Sequence, residues 1–153
     1  MTISFHLQHV KYKLAQKRAL KAWITACVGN ENKVAGDLNI ILCSDQHLLE
    51  MNKQFLEHDF YTDIITFNYN TQSRISGDLF ISIERVKDNA TKLNISIEHE
   101  LQRVIIHGVM HLCGYKDKKI SEQILMRNQE DKCLNIWIQR TWPSVSRGTK
   151  LKK

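Results

Sequence analysis

The chain has 153 residues and a formal net charge of +6, with 42% hydrophobic and 25% charged residues. This length is enough for one sizeable hydrophobic core and short for two ordinary domains. No run approaches the roughly 18 apolar residues that a membrane span needs. The first residues also lack the apolar block of a signal peptide. The sequence therefore excludes an integral membrane protein and predicts a cytoplasmic one.

The basic charge is concentrated at the end of the chain. Four positive charges fall in the last seven residues: Arg147, Lys150, Lys152 and Lys153. We predict a single domain over residues 1–143 and a basic flexible tail over 144–153. The four cysteines form no C-x-x-C pair, so they are interpreted as buried, small, apolar residues rather than a zinc knuckle or a disulfide framework. They are Cys27, Cys43, Cys113 and Cys133.

The first half of the chain predicts alternating strands and helices. The segment ISFHL, residues 3–7, alternates as a strand does, and apolar residues at helical spacing then predict a helix from about Lys11 to about Val28. The segment GDLNIILCS predicts a strand whose final Ser44 caps a helix over DQHLLEMNKQFL. Two segments rich in β-branched and aromatic residues, DIITFNY and GDLFISIE, predict two more strands.

The second half predicts three helices. A short one covers about 85–93, and a long one over 97–113 begins after Ser96. A final amphipathic helix is predicted to begin with Ser121 as its cap and to run to Arg140. About four strands and five helices in mixed order predict an α+β fold: a single layered domain in which a small mixed sheet packs with the helices.

The segment HGVMHLCGYKDKK, residues 107–119, contains the residues that could bind a metal ion. His107 and His111 are four residues apart, so they lie on one helical face and can bind one ion. Gly114 suits the left-handed residue that ends a helix, after which the chain folds back and brings Asp117 within reach. The pattern H-x-x-x-H-x-x-G-x-x-D repeats the ligand spacing of the metzincin signature with a carboxylate in third place.

Two histidines at this spacing are common in helices that bind no metal. The glycine and the aspartate at the zincin offsets favour a metal site instead. Three protein ligands with an open fourth position are typical of a catalytic zinc. We therefore predict one Zn²⁺ per chain, held by His107, His111 and Asp117, which would activate water or polarise a scissile bond.

The residue after the first histidine disfavours a peptidase. Zincin peptidases have glutamate there as general base, and this chain has Gly108. Glu100 is the nearest carboxylate on the same helical face. It lies two turns before His107, roughly 10 Å along the helix axis, which is too far to replace that base.

Three motifs resemble those of the YbeY family of bacterial metal-dependent endoribonucleases. Residues 107–117, HGVMHLCGYKD, resemble the family's metal motif. MNKQFLEHDFYTDIITF, residues 51–67, and GDLFIS, residues 77–82, resemble two further family stretches in the same order. The chain departs from the family where Asp117 replaces the usual third histidine and Leu56 replaces an arginine associated with RNA processing.

The resemblance implies a function in ribosome biogenesis. It implies a mixed sheet and helices packed around the metal, cleavage of single-stranded RNA, and binding to ribosomal RNA and the small ribosomal subunit. The role would be maturation of the 3′ end of small-subunit ribosomal RNA and ribosome quality control. Two alternatives remain open: a ribosome-associated RNA-binding assembly factor with a structural metal, and a zincin-like metallohydrolase acting on another substrate.

Several basic residues are candidates for RNA contact. Arg103, one turn before His107, is a candidate catalytic residue that could replace the arginine absent at Leu56; the blander interpretation, which the sequence favours, is an exposed helix charge. Three lysines near the metal motif are candidates for RNA binding: Lys116, Lys118 and Lys119. Three more form a predicted helical stripe that is either an RNA contact or a solvated face: Lys13, Lys17 and Lys21.

Two aspartates lie beside predicted strands. Asp63 precedes the segment IITFN, and Asp78 lies in GDLFIS. Both are interpreted as turn-forming or capping residues rather than catalytic ones.

Overall fold

The computed structural model describes residues 2–56, 62–72, 74–140 and 142, apart from the side chain of Leu56. Within this part of the chain, four strands and five helices confirm the predicted α+β fold. The elements are β1 (Ile3–Leu7), α1 (Lys17–Gly29), β2 (Val34–Cys43), α2 (Asp45–Leu56), β3 (Ile64–Asn68), β4 (Arg74–Ser82), α3 (Ile83–Leu93), α4 (Ile97–Leu112) and α5 (Ile120–Gln139). The predicted tail over 144–153 lies outside the described residues.

The four strands form one mixed sheet in the order β1-β2-β4-β3. β1, β2 and β4 are parallel, and β3 runs antiparallel to β4. The register pairs Ile40 with Leu79, and a bulge separates Ala35 from Leu38 in β2. Helix α1 forms the connection that two parallel neighbours require between β1 and β2.

Helix α4 is the central element of the main core. It contacts β3, β4, α1, α3 and α5, and Ile105, Ile106 and Met110 on it are fully buried. It approaches the sheet closely because two positions lack side chains. A Cβ on Gly77 of β4 would lie 3.1 Å from Cδ1 of Leu112 in α4, and one on Gly108 would lie 2.6–2.7 Å from side-chain carbons of β3 and β4. This packing sets the position of the helix that carries both histidines.

Helix α2 packs on the other face of the sheet. Its Leu48 and Met51 form a second buried cluster with Cys43 and Ile65. Successive strand residues point to opposite faces, so Cys43 and Ile65 lie opposite their neighbours Leu42 and Ile64, which pack in the main core. The sheet is therefore covered on both faces, with the candidate metal motif on the α4 side.

The predicted start of α1 was wrong. The helix begins at Lys17 rather than Lys11. Residues 11–15 alternate between exposed and half-buried, which is the pattern of an extended segment, and Gln16 then adopts a left-handed φ of 59°. Lys13 therefore precedes the helix, and the helical spacing predicted for the basic stripe holds only within α1.

Helix caps were predicted correctly at two sites and wrongly at one. The hydroxyls of Ser44 and Ser96 accept hydrogen bonds from the third residue beyond them, as predicted, both at 3.0 Å. Ser121 does not cap α5. Instead the Glu122 carboxylate reaches back and accepts from the backbone N–H of Lys119 at 2.9 Å. That contact moves the helix start to Ile120.

The short helix α3 begins earlier than predicted. It starts at Ile83 rather than near Arg85, because the hydroxyl of Ser82 accepts the backbone N–H of Arg85 at 3.0 Å. An N-cap serine ends the preceding strand and starts the helix at the next residue. β4 and α3 are therefore joined without a loop.

The cysteines are free thiols, as predicted. Cys27, Cys43 and Cys133 are buried, whereas Cys113 is only half-buried. None of the helices described here is long and apolar enough to cross a membrane.

Candidate metal centre

Helix α4 brings the two predicted histidines together. Ser96 caps its first turn, and the helix runs without interruption to Leu112. His107 and His111 are one turn apart on it, and their Nε2 atoms lie 3.0 Å from each other. The two imidazoles face the same point in space, as the four-residue spacing predicts.

A tight turn after α4 brings Asp117 to the same point. Gly114 has a φ of +110°, which side-chain-bearing residues rarely adopt. Its N–H donates to the carbonyl of His111 at 3.0 Å, and the N–H of Tyr115 donates to that of Met110 at 3.0 Å. These bonds reverse the chain at the helix end as predicted, so the carboxylate of Asp117 returns to the histidines.

The three side chains form a compact donor set. Asp117 Oδ2 lies 3.2 Å from Nε2 of His107 and 3.2 Å from Nε2 of His111. Among the described residues, this is the group of three that could hold a metal ion. Two imidazoles and a carboxylate are an acceptable zinc shell, and ligand atoms in tetrahedral zinc sites are about 3.3 Å apart. The residues fit the predicted metal.

The other ring nitrogen of each histidine is held by a protein oxygen. His111 Nδ1 lies 2.9 Å from the carbonyl oxygen of Tyr115. His107 Nδ1 lies 2.6 Å from Oε2 of Glu130, which belongs to α5. Tyr115 is itself anchored, because its hydroxyl donates to Glu31 at 2.8 Å. Both imidazoles are therefore oriented by groups behind the donor set.

Glu130 was not predicted as a site residue. It is 2% exposed, and its other oxygen, Oε1, lies 3.2 Å from Nη1 of Arg103. It falls on the buried face of α5, among Met126, Cys133 and Leu134. A carboxylate on an otherwise apolar face was the signal in the sequence, because buried charges are kept only when they are paired.

Arg103 joins two buried carboxylates. Its Nε lies 3.0 Å from Oε1 of Glu100, and its Nη1 contacts Glu130. Glu100 is fully buried, and the prediction that it does not replace the missing zincin base stays a prediction. The role of Arg103 in catalysis stays a prediction, but its guanidinium is engaged within the protein.

These contacts shift the pKa values of the facing groups. Burial lowers the pKa of His107, but the carboxylates of Glu130, Asp117 and Asp63 outweigh burial and raise it above the usual 6.5. Burial raises the pKa of Glu130, but His107 and Arg103 outweigh it, so this pKa lies below the usual 4.5. Glu130 is therefore ionised at neutral pH.

Asp63 lies closer to the site than its interpretation as a turn former suggested. Burial raises the pKa of its carboxyl, and this is partly opposed by the charges of His107 and Arg103. Its backbone carbonyl also accepts from the N–H of Ser82 at 3.0 Å. Its backbone therefore links the start of β3 to the end of β4. Its carboxyl is close enough to His107 and Arg103 for their charges to act on its pKa.

Gly108 explains why this site lacks a zincin base. The residue after the first histidine does not face the metal donors in this fold. It packs against the sheet, where an added Cβ would lie 2.6 Å from Cδ1 of Ile64 and 2.7 Å from Cδ2 of Leu79. A glutamate at this position would enter the core, so the peptidase arrangement is incompatible with this packing.

The three predicted RNA-binding lysines surround the turn that carries Asp117. Lys116, Lys118 and Lys119 are all exposed. Their exposure leaves the ammonium groups accessible to a polyanion, and RNA binding stays a prediction. The side chain of Leu56, at the end of α2, lies outside what the structure describes.

Comparison with known proteins identifies relatives over most of the chain. The family model described as Endoribonuclease YbeY matches residues 2–137. Among curated relatives with that name, the Flavobacterium psychrophilum protein is 43% identical over 88% of this chain and 96% of its own length. The Cytophaga hutchinsonii protein is 46% identical over 88% and 95%. The solution structure of TM1509 from Thermotoga maritima has a TM-score of 0.58 and 25% identity, covering 97% and 99% of the two chains.

Proposed function

Because the chain belongs to the Endoribonuclease YbeY family, we propose that it is a metal-dependent endoribonuclease that cleaves single-stranded RNA. Its proposed substrate is the precursor of small-subunit ribosomal RNA, at the 3′ end, with a further role in ribosome quality control. The small ribosomal subunit is the proposed partner, and the cytoplasm the proposed place of action. The observation that carries this proposal is the triangle of donors formed by His107, His111 and Asp117.

The proposed mechanism assigns a task to each part of the site. His107, His111 and Asp117 would hold a divalent ion, with zinc as the proposed metal, which would supply Lewis acidity toward a phosphodiester. Glu130 and the carbonyl of Tyr115 keep the imidazoles in place. The donor side chains remain 20–38% exposed, so an RNA strand can approach them from solvent.

A second function is favoured by one contact. Arg103, the predicted substitute for the family's arginine, is bound by Glu100 and Glu130 and is therefore not free to bind a phosphate as it stands. An assembly factor that binds RNA on the ribosome, with a structural metal and little cleavage, would not need that arginine. The endoribonuclease remains the proposal, and the following experiment separates the two.

We expect the metal donors to be required for ribosomal RNA processing in cells. The 3′ ends of small-subunit ribosomal RNA would be mapped after depletion of the protein and complementation with wild type or with His107→Ala/His111→Ala. Mature ends should return only with wild type. Equal restoration by the double variant would reject the nuclease and support the assembly factor.

Neutralising the lysines around the turn should weaken RNA binding. In Lys116→Gln/Lys118→Gln/Lys119→Gln, the loss of up to three phosphate contacts should lower RNA affinity and reduce the slope of log affinity against log salt by up to about two, since each contact to single-stranded RNA contributes roughly 0.7 to that slope. Fluorescence anisotropy with a single-stranded RNA at several salt concentrations measures both. An unchanged affinity and slope would remove these lysines from the RNA-binding surface. The same measurement on Lys17→Gln/Lys21→Gln, at exposed positions of α1, tests the part of the basic stripe that lies on this helix.

A further inference from the structure

We infer that Glu130 is a positioning residue for the metal centre, and that Arg103 acts through it. The inference rests on the proposed function only in requiring that His107, His111 and Asp117 bind a metal. It assigns to Arg103 a task other than the phosphate binding predicted from the sequence.

Both oxygens of Glu130 are in use, each for a different partner. Oε2 lies 2.6 Å from Nδ1 of His107, and Oε1 lies 3.2 Å from Nη1 of Arg103. An ionised carboxylate only accepts hydrogen bonds, so the proton of a neutral His107 imidazole must be on Nδ1. The lone pair of Nε2 is then directed toward Asp117 and His111, where a metal would be bound.

Arg103 holds Glu130 in the position that this requires. It bridges α4 and α5 by contacting Glu100 on its own helix and Glu130 on the next. Its guanidinium is planar and presents several donors in a rigid fork, so it can fix two carboxylates at once. Arg103 therefore holds one oxygen of Glu130 while the other oxygen contacts His107.

The carboxylates of this network are paired with guanidinium groups. Glu100 and Glu130 are 0% and 2% exposed, and Arg103 is the guanidinium that contacts both. Arg127 adds a second ion pair, because its Nε lies 3.7 Å from Oε1 of Glu130. Pairing of this kind is what makes a buried carboxylate tolerable. Glu130 is therefore held by guanidinium groups at one oxygen and by His107 at the other.

The variant Glu130→Gln tests the inference because an amide cannot satisfy both partners. If its oxygen faces His107, its NH₂ group meets the donors of Arg103; if its NH₂ group faces His107, the imidazole proton must move to Nε2 and block the metal. We expect the affinity for Zn²⁺ to fall roughly 10- to 100-fold, as for other outer partners of metal ligands. Competition with a chromophoric chelator measures it in the full chain.

Two further variants make the result specific. Asp131→Asn changes the next residue of α5, which is exposed, and should bind Zn²⁺ as wild type does. Arg103→Lys keeps a positive charge beside the two buried carboxylates but loses the planar fork that contacts both, and should weaken Zn²⁺ binding in the same direction. It also keeps the test decisive if Glu130→Gln fails to fold.

A spectroscopic measurement separates positioning from a general loss of stability. The ¹⁵N signals of the His107 ring, recorded without metal at alkaline pH where imidazoles are neutral, should report the Nδ1–H tautomer in wild type and a shift toward Nε2–H in Glu130→Gln. Folded Glu130→Gln with wild-type Zn²⁺ affinity and an unchanged tautomer would overturn the inference. A wild-type chain that binds no Zn²⁺ would overturn the metal centre itself, and this inference with it.

Discussion

The double variant His107→Ala/His111→Ala is expected to lose both bound metal and RNA cleavage. It removes two of the three donor side chains, and one carboxylate does not retain a zinc ion. A bound metal contributes several kcal/mol to the stabilisation of a charged transition state. Several kcal/mol correspond to roughly a 1,000-fold or greater loss of cleavage rate. Elemental analysis of the purified protein and cleavage of a labelled single-stranded RNA measure the two losses.

The fold should survive this change. Glu130 loses its contact with His107 but keeps the ion pair with Arg103, so the chain should still fold. Because the two histidine side chains are only 20% and 26% exposed, the variant should unfold at a lower temperature than metal-free wild type. His99→Ala is a suitable control, because it removes the same type of side chain from the same helix two turns earlier. Cleavage at the wild-type rate by a double variant that holds no metal would contradict the proposed function.

Asp117 should bind the metal through its carboxylate oxygen. A substitution should therefore be tolerated only when the new side chain also supplies a metal-donor atom. Its Oδ2 lies 3.2 Å from both Nε2 atoms, which is the spacing of a third donor. Asp117→Ala should weaken Zn²⁺ binding by more than the roughly 10- to 100-fold that loss of an outer partner costs. Asp117→His should retain Zn²⁺, because an imidazole is also a zinc donor.

Asp117→Ala and Asp117→His serve as controls for each other. Both remove the carboxylate and change the same turn, so a difference in metal content reports the donor atom. Equilibrium dialysis against Zn²⁺, followed by metal analysis, gives stoichiometry and affinity for each. Unchanged metal stoichiometry and affinity in Asp117→Ala would remove Asp117 from the donor set and leave a site with two histidines.

Structure and sequence agree best where contacts are local. Strand β1 and helix α2 have the predicted bounds, and the caps at Ser44 and Ser96 were predicted from residues three positions apart. The start of α1 was wrong because residues 11–15 carry apolar residues that fit either a helix or an extended segment. Only the packing of this segment against the core decides between them.

The sequence by itself determined the donor set. His107 and His111 are related by the helical repeat, and Asp117 by a turn at Gly114, so all three are placed by contacts within eleven residues of chain. Such contacts depend on backbone geometry and residue type, which the sequence states directly. The family resemblance, confirmed over residues 2–137, came from the same short segments.

Only the tertiary structure decided what surrounds those donors. Glu130 contacts His107 from another helix, Arg103 is bound between two buried carboxylates, and Gly108 packs against the sheet. These contacts depend on how α4 and α5 pack against each other and against the sheet. They join residues that are far apart in the chain. A periodic pattern shows which face of a helix is buried, but not which partner it meets there, because that choice is made by the packing of the whole core.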